Sequence, residues 1–267
     1  MTSVDSKAKA EGIIHLAPEK MALIAPDRSA LDRNGIIAFE HRDKRMRPFN
    51  LLRTQVAKRI ETGNLKLIGV ASATPDAGKS FIALNLAAAL SRVSDDPVIL
   101  ADLDLRRGSL AIEMGLTPEV GLSDFLDGST RDLQSIGWKL EGTRLNLLPT
   151  RPVTTESAEL LSKPTFETLI NSLRHGTGKS IVFCDLPPAF ANDDAMITME
   201  YLDAYVMVIH SGKTNKKQML NTMRMFEPTP CIGTVLNKYR GGFIDSSGYG
   251  YGYGYGYGGK NAYDAYY

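Results

Sequence analysis

Leu67-Ile68-Gly69-Val70-Ala71-Ser72-Ala73-Thr74-Pro75-Asp76-Ala77-Gly78-Lys79-Ser80 is the stretch that decides the fold. The apolar run Leu67–Ala71 reads as a buried strand, Pro75 and Gly78 break it, and Lys79 to Arg92 continues at helical spacing. A strand, a tight loop and a helix in that order point the backbone N–H groups of the loop and of the helix N-terminus at one spot, where they cradle phosphate. Lys79 then reaches the outer phosphate oxygens and Ser80 Oγ can ligate Mg²⁺. The run matches the P-loop pattern at Gly78, Lys79 and Ser80, with Ala73 where the first glycine usually stands. A capped helix start carrying an incidental lysine would look the same over so short a stretch.

Two more strand ends narrow the choice. Val98-Ile99-Leu100-Ala101-Asp102-Leu103-Asp104-Leu105-Arg106 delivers two carboxylates and an arginine, and Ile181-Val182-Phe183-Cys184-Asp185-Leu186-Pro187-Pro188 delivers a third carboxylate. In open α/β sheets ligands bind beyond the C-terminal strand ends, which is where these acids would meet Ser80. Mg²⁺ takes one or two carboxylates together with waters and phosphate oxygens. Each Asp alone could merely cap the next helix; the three sites together predict nucleotide binding.

Further apolar runs at Leu145–Leu148, Tyr205–Ile209 and Ile232–Leu236 alternate with helix-like segments at 157–174, 193–202 and 214–226. Continuous apolar strands alternating with helices predict a three-layer α/β fold around a mainly parallel sheet. This domain spans 46–240. Residues 1–45, with Pro18, Pro26, Gly12 and Gly35 between short apolar pieces, read as a flexible arm with one short element. Around its end the chain turns basic, from Arg42 through Arg47 and Arg53 to Lys58 and Arg59, on an amphipathic helix expected over 48–62. That segment reads as a solvated helix face or as a site for anionic lipid or a membrane partner. Residues 241–267 form a low-complexity Gly/Tyr tail with no core to bury, expected to be disordered.

The bulk composition is plain. The chain has 267 residues, is 43% hydrophobic and 23% charged, and its 31 Lys+Arg against 30 Asp+Glu leave a net charge of +1, which argues against a polycationic nucleic-acid binder. Cys184 and Cys231 lie in apolar strand-like runs and read as small buried thiols. His15, His41, His175 and His210 show no metal-ligand spacing. No apolar stretch approaches the roughly 18 residues of a membrane helix, so the protein is expected in the cytoplasm, at the inner membrane only through a partner. The tyrosines are distributed unusually. Of 11, none precedes residue 200, and eight fall between Tyr249 and Tyr267.

The loop Ser72–Ser80, the D-x-D-x-R strand end Asp102–Arg106, the D-x-P-P strand end Asp185–Pro188 and the tyrosine-rich tail together resemble the bacterial tyrosine autokinases of polysaccharide synthesis and export. The resemblance covers roughly residues 47–267. It implies an enzyme that uses ATP and Mg²⁺ to phosphorylate tyrosines on a neighbouring subunit's tail. It also implies a membrane-spanning co-polymerase or activator as partner, a phosphotyrosine phosphatase, and a soluble component of the split type. Carried over, Thr74, Pro75, Asp76, Ala77, Gly78, Lys79, Ser80 and Phe81 would surround the nucleotide, with Arg106 near a phosphate or Asp104, and Asn237 near the base. Ser80, Asp102 and Asp185 would hold the metal, with Asp104 supporting them, and Asp102 would also orient or deprotonate the attacking hydroxyl. The acceptors would be Tyr249, Tyr251, Tyr253, Tyr255, Tyr257, Tyr263, Tyr266 and Tyr267; Tyr201, Tyr205 and Tyr239 read as structural.

Two stretches depart from the family pattern. Asp76-Ala77 stands where Gly-Glu is usual, putting a carboxylate near the phosphates. Of the ring-assembly pattern E-x-x-R-x-x-R, aligned on Arg47, Asn50 and Arg53, only the last arginine is present. The alternative reading is a non-kinase ATPase switch of the partitioning or polar-targeting kind.

Overall fold

The computed structural model describes residues 12–39, 43–153 and 157–239. The tail with its eight tyrosines lies outside them, as do His41 and Arg42.

Eight strands form one sheet: β1 (Ala22–Ile24), β2 (Leu67–Ser72), β3 (Val98–Asp102), β4 (Trp138–Leu140), β5 (Leu145–Leu148), β6 (Ile181–Asp185), β7 (Ala204–His210) and β8 (Cys231–Asn237). Their order is β1-β4-β5-β3-β6-β2-β7-β8, and every neighbouring pair is parallel except β4 with β5. The crossovers carry α1 (Arg28–Arg33), α2 (Arg47–Gly63), α3 (Lys79–Ser91), α4 (Ser109–Glu113), α5 (Leu122–Asp127), α6 (Leu133–Ile136), α7 (Ser157–Leu161), α8 (Pro164–His175), α9 (Asp194–Met199) and α10 (Lys216–Met225).

Every residue of β2, β3 and β5 is buried. Alternation along β3 sends Ile99 and Ala101 into one apolar cluster and Val98 and Leu100 into another, so the sheet carries a core on each face. The three-layer α/β expectation is met. α3 is buried almost all round, and its run Ala87-Ala88-Ala89 lets it lie close to β3 and to α2.

The N-terminal segment is more ordered than its composition suggests. Within residues 12–39, β1 extends the sheet, and Leu16, Met21, Leu31, Ile36, Ile37 and Ala38 are buried in the two cores. The polar pin is Asn85 of α3, itself fully buried. Its Oδ1 accepts the Ile37 and Ala38 N–H groups at 2.9 and 3.1 Å, and its Nδ2 donates to the Phe81 and Gly35 carbonyls. A boundary at residue 45 therefore does not follow the packing.

The helix expected over 157–174 is two. Pro164 forces Lys163 into extended conformation (ψ 152°), which ends α7 and restarts the chain as α8. Cys184 is fully buried and its thiol is pushed up to about 12 by burial, whereas Cys231 is only half-buried. Tyr205 packs edge-on against Phe226 and Tyr201 against Phe166, as expected of structural tyrosines; Tyr239 is 55% exposed. Among the described residues, no helix is long and apolar enough to cross a membrane.

Candidate active site

The parallel strands β2, β3 and β6 end side by side, and their C-terminal ends bring the three sequence motifs together. Asp102 and Asp185 are register partners on β3 and β6. The loop after β2 turns into α3 through two left-handed residues, Asp76 (φ 57°) and Gly78 (φ 84°). At Gly78 this conformation is free of cost, and a Cβ there would run into Asn237 Nδ2. The first N–H groups of α3 have no intrahelical acceptor, so this end of the helix faces the cleft with donors to spare.

The cleft has a volume of about 430 Å³. Of the predicted residues, Asp76, Gly78, Lys79, Ser80, Phe81, Asp104 and Asn237 line it. Lys79 is only 6% exposed; burial lowers its pKa, and the nearby Asp185 and Asp104 carboxylates oppose that. Ser80 Oγ donates to Asp185 Oδ2 at 2.6 Å and lies 2.9 Å from Ser109 Oγ. Asp185 is fully buried, and its Oδ1 has no hydrogen-bond partner. Burial holds its carboxyl up to about 7, against the opposing pull of Lys79 and of the Ser80 hydrogen bond. A hydroxyl bonded to a carboxylate whose second oxygen is buried and unsatisfied is a donor set that fits a hard divalent cation completed by waters and phosphate oxygens. Among the described residues no three His, Cys, Asp or Glu side chains cluster as a metal site.

Asp102 and Arg106 are placed differently from the expectation. Asp102 is fully buried, and its two oxygens accept backbone N–H groups of Asp104 (3.3 Å) and Leu110 (3.1 Å). Burial first, and Asp185 second, raise its pKa well above the carboxylate range. It braces the turn after β3, whereas Asp104, two residues on, lines the cleft with its own pKa raised by burial. Arg106 pairs with neither a cleft carboxylate nor the loop: its Nε donates to Ser157 Oγ at 2.8 Å and stands 3.8 Å from the buried Asp194. Thr74, Pro75 and Ala77 belong to the loop but are not among the residues that line the cleft. The Thr74 carbonyl accepts the Ser72 hydroxyl, and the Ala77 carbonyl accepts Asn237 Nδ2 at 2.8 Å.

Sequence reasoning missed Asn34, Arg107, Ser109, Glu113 and Lys238 in the lining. Asn34 comes from the N-terminal segment and donates to the Glu113 carbonyl at 2.7 Å. Lys238 Nζ donates to the Asp76 carbonyl at 2.7 Å. The pair of adjacent arginines Arg106-Arg107, just after Asp104, was the available signal for Arg107.

The chain matches no protein-family model. It is 31% identical over 198 residues to the tyrosine-protein kinase YwqD of Bacillus subtilis, a match covering 74% of this chain and 82% of the relative. It is also 31% identical over 180 residues to the succinoglycan biosynthesis transport protein ExoP of Rhizobium meliloti, covering 65% of this chain and 22% of that one. Several relatives are far longer, and the chain spans about a quarter of their length or less. The kinase domain of the Escherichia coli tyrosine kinase ETK shares the fold, with a TM-score of 0.68 and 24% identity over 95% of this chain and all of that one. With the YwqD match running over most of both chains and through all three strand-end motifs, the protein belongs to the bacterial tyrosine-protein kinase family.

Proposed function

We propose that this protein is an ATP- and Mg²⁺-dependent tyrosine autokinase. It transfers a phosphoryl group to tyrosines in a neighbouring copy's tail, among them Tyr249, Tyr251, Tyr253, Tyr255, Tyr257, Tyr263, Tyr266 and Tyr267. The observation that carries the reading is the convergence of Lys79, the Ser80–Asp185 pair and Asp104 on one cleft beyond the central strands.

Phosphoryl transfer depends mainly on positioning and charge neutralisation. Lys79 supplies a buried positive charge to the outer phosphate oxygens, and entry of those oxygens offsets the desolvation that now lowers its pKa. Ser80 and Asp185 would hold Mg²⁺, which would supply neutralisation of the phosphate charge. Gly78 lets the loop approach them. Asp104, which lines the cleft beside Lys79, accepts the phenolic proton as the tyrosine oxygen bonds to phosphorus and ADP leaves; its raised pKa suits a proton acceptor. Asp102 fixes the turn that presents Asp104.

Membership of the family and the likeness to ExoP support a role in exopolysaccharide polymerisation and export. The protein would act from the cytoplasm, at the inner membrane through a membrane-spanning co-polymerase, with copies assembling for phosphorylation in trans and a phosphatase reversing it.

Incubation with ATP and Mg²⁺ is expected to yield phosphotyrosine that is lost in Lys79→Met. ATP hydrolysis without phosphotyrosine would favour the partitioning-type switch instead.

A further inference from the structure

Arg106 and Arg107 follow β3 side by side, and the fold sends them to different places. Arg106 is committed to Ser157 and Asp194. Arg107 lines the cleft, where its guanidinium stands 3.5 Å from Asp76 Oδ1. Asp76 is the residue at which the phosphate-binding loop carries an unusual carboxylate, and its left-handed backbone turns that side chain outward, leaving it 69% exposed.

Resting on the kinase reading above, we propose that Arg107 is a phosphate-binding residue of the nucleotide site, kept at the mouth of the cleft by Asp76 and exchanging that carboxylate for the outer phosphates of ATP.

Three features support this. The Arg107–Asp76 contact is long, and both side chains are more than half exposed (60% and 69%), so the pair is weak and easily exchanged. A guanidinium presents a planar fork of donors that matches a phosphate bidentately, a far stronger interaction than this one. The charges lining the cleft balance only with Arg107 counted, and a bound polyphosphate would tip that balance strongly negative. Asp76, Asp104 and Glu113 line it against Lys79, Arg107 and Lys238, and Lys238 is engaged on the Asp76 carbonyl. Burial raises the pKa of Glu113 and of Asp104, and the positive charge of Arg107 lowers both, so its guanidinium acts electrostatically on the interior of the cleft as well as on its rim. Moving from Asp76 toward a polyphosphate keeps that charge inside the same cleft.

The test is calorimetric titration of ATP–Mg²⁺ and of AMP into wild type, Arg107→Ala, Arg107→Lys, Asp76→Asn and the Asp76→Asn/Arg107→Ala double variant, with thermal melts to verify folding. Arg107→Ala is expected to weaken ATP about tenfold or more and AMP little, with Arg107→Lys between. Asp76→Asn is expected to tighten ATP, and the Arg107→Ala loss is expected to persist in the Asp76→Asn background. If the double variant binds ATP as Asp76→Asn does, Arg107 only offsets Asp76 and the proposal is overturned. Equal losses for ATP and AMP, or no loss at all, overturn it as well. Absence of ATP binding by the wild type would sink the kinase reading together with this inference, whereas tight binding by Arg107→Ala would sink this inference alone.

Discussion

Asp185 ends β6 with no exposed atom, one oxygen on Ser80 and the other without a partner, and this burial holds its carboxyl up to about 7. The sign follows from which form the fold prefers. A carboxyl raised from 3.8 is protonated more readily in the folded chain than in the unfolded one, so without ligand it contributes stability at low pH that fades as pH rises toward about 7. Cation binding needs the opposite form. The affinity for ATP–Mg²⁺ is therefore expected to rise as pH passes through about 7 and then level off, and Asp185→Asn is expected to abolish the rise along with the Mg²⁺ requirement; titrations over about pH 6 to 8.5 measure this. Gly78→Ala is expected to lose nucleotide binding, because the added Cβ meets Asn237 and the left-handed φ of 84° costs about 1–2 kcal/mol in a residue other than glycine. Lys79, Ser80 and Asp185 were legible because a strand, a loop and a helix start fix where such side chains must point. Asp102 and Asp104, or Arg106 and Arg107, were not separable by spacing. The turn after β3 decides which member of each pair meets the cleft, and that turn is set by hydrogen bonds from Asp104 and Leu110 to Asp102.

At the scale of elements, α3 links the nucleotide loop to the N-terminal segment through Asn85. Asn85→Ala would strip the Ile37 and Ala38 N–H groups of their acceptor, at about 1–3 kcal/mol for each buried group left unsatisfied. We expect a lower melting temperature and faster amide exchange at residues 36–38; unchanged exchange there would show that Asn85 does not pin the segment. In the sequence Asn85 registers only as a polar interruption of an apolar run. The N-terminal segment hides for a related reason: β1 is three residues long, and its pairing with β4 depends on partners more than 100 residues away, which no local period reveals. The central strands, apolar up to their C-terminal residues and bounded by turn residues, were legible nearly to their ends. The break between α7 and α8 was encoded by Pro164, whose effect on Lys163 outweighs the helical periodicity running through it.

At the scale of the whole molecule, β8 brings Asn237 and Lys238 to the loop, so the described chain ends at the mouth of its own cleft. The tail follows from there. At roughly 5–6 Å × √n, its 27 residues from Gly241 have an r.m.s. span of about 26–31 Å if unstructured, enough to meet a neighbouring copy. Phosphorylation of its eight terminal tyrosines would add about −12 to −16 charges to a protein of net charge +1. A fully phosphorylated sample is therefore expected to shift its oligomer distribution in light scattering, with the shift shrinking as salt is added; identical distributions before and after phosphorylation would remove the tail as an assembly switch. Transfer between copies is tested most directly by mixing full-length Lys79→Met, which keeps the tail but lacks the catalytic lysine, with a chain truncated after Arg240, which keeps the cleft but lacks the acceptors. With ATP and Mg²⁺, phosphotyrosine is predicted on the Lys79→Met chain in the mixture and on neither chain alone. An unlabelled mixture, under conditions where the wild-type chain labels itself, would contradict phosphorylation of one copy's tail by another copy's cleft.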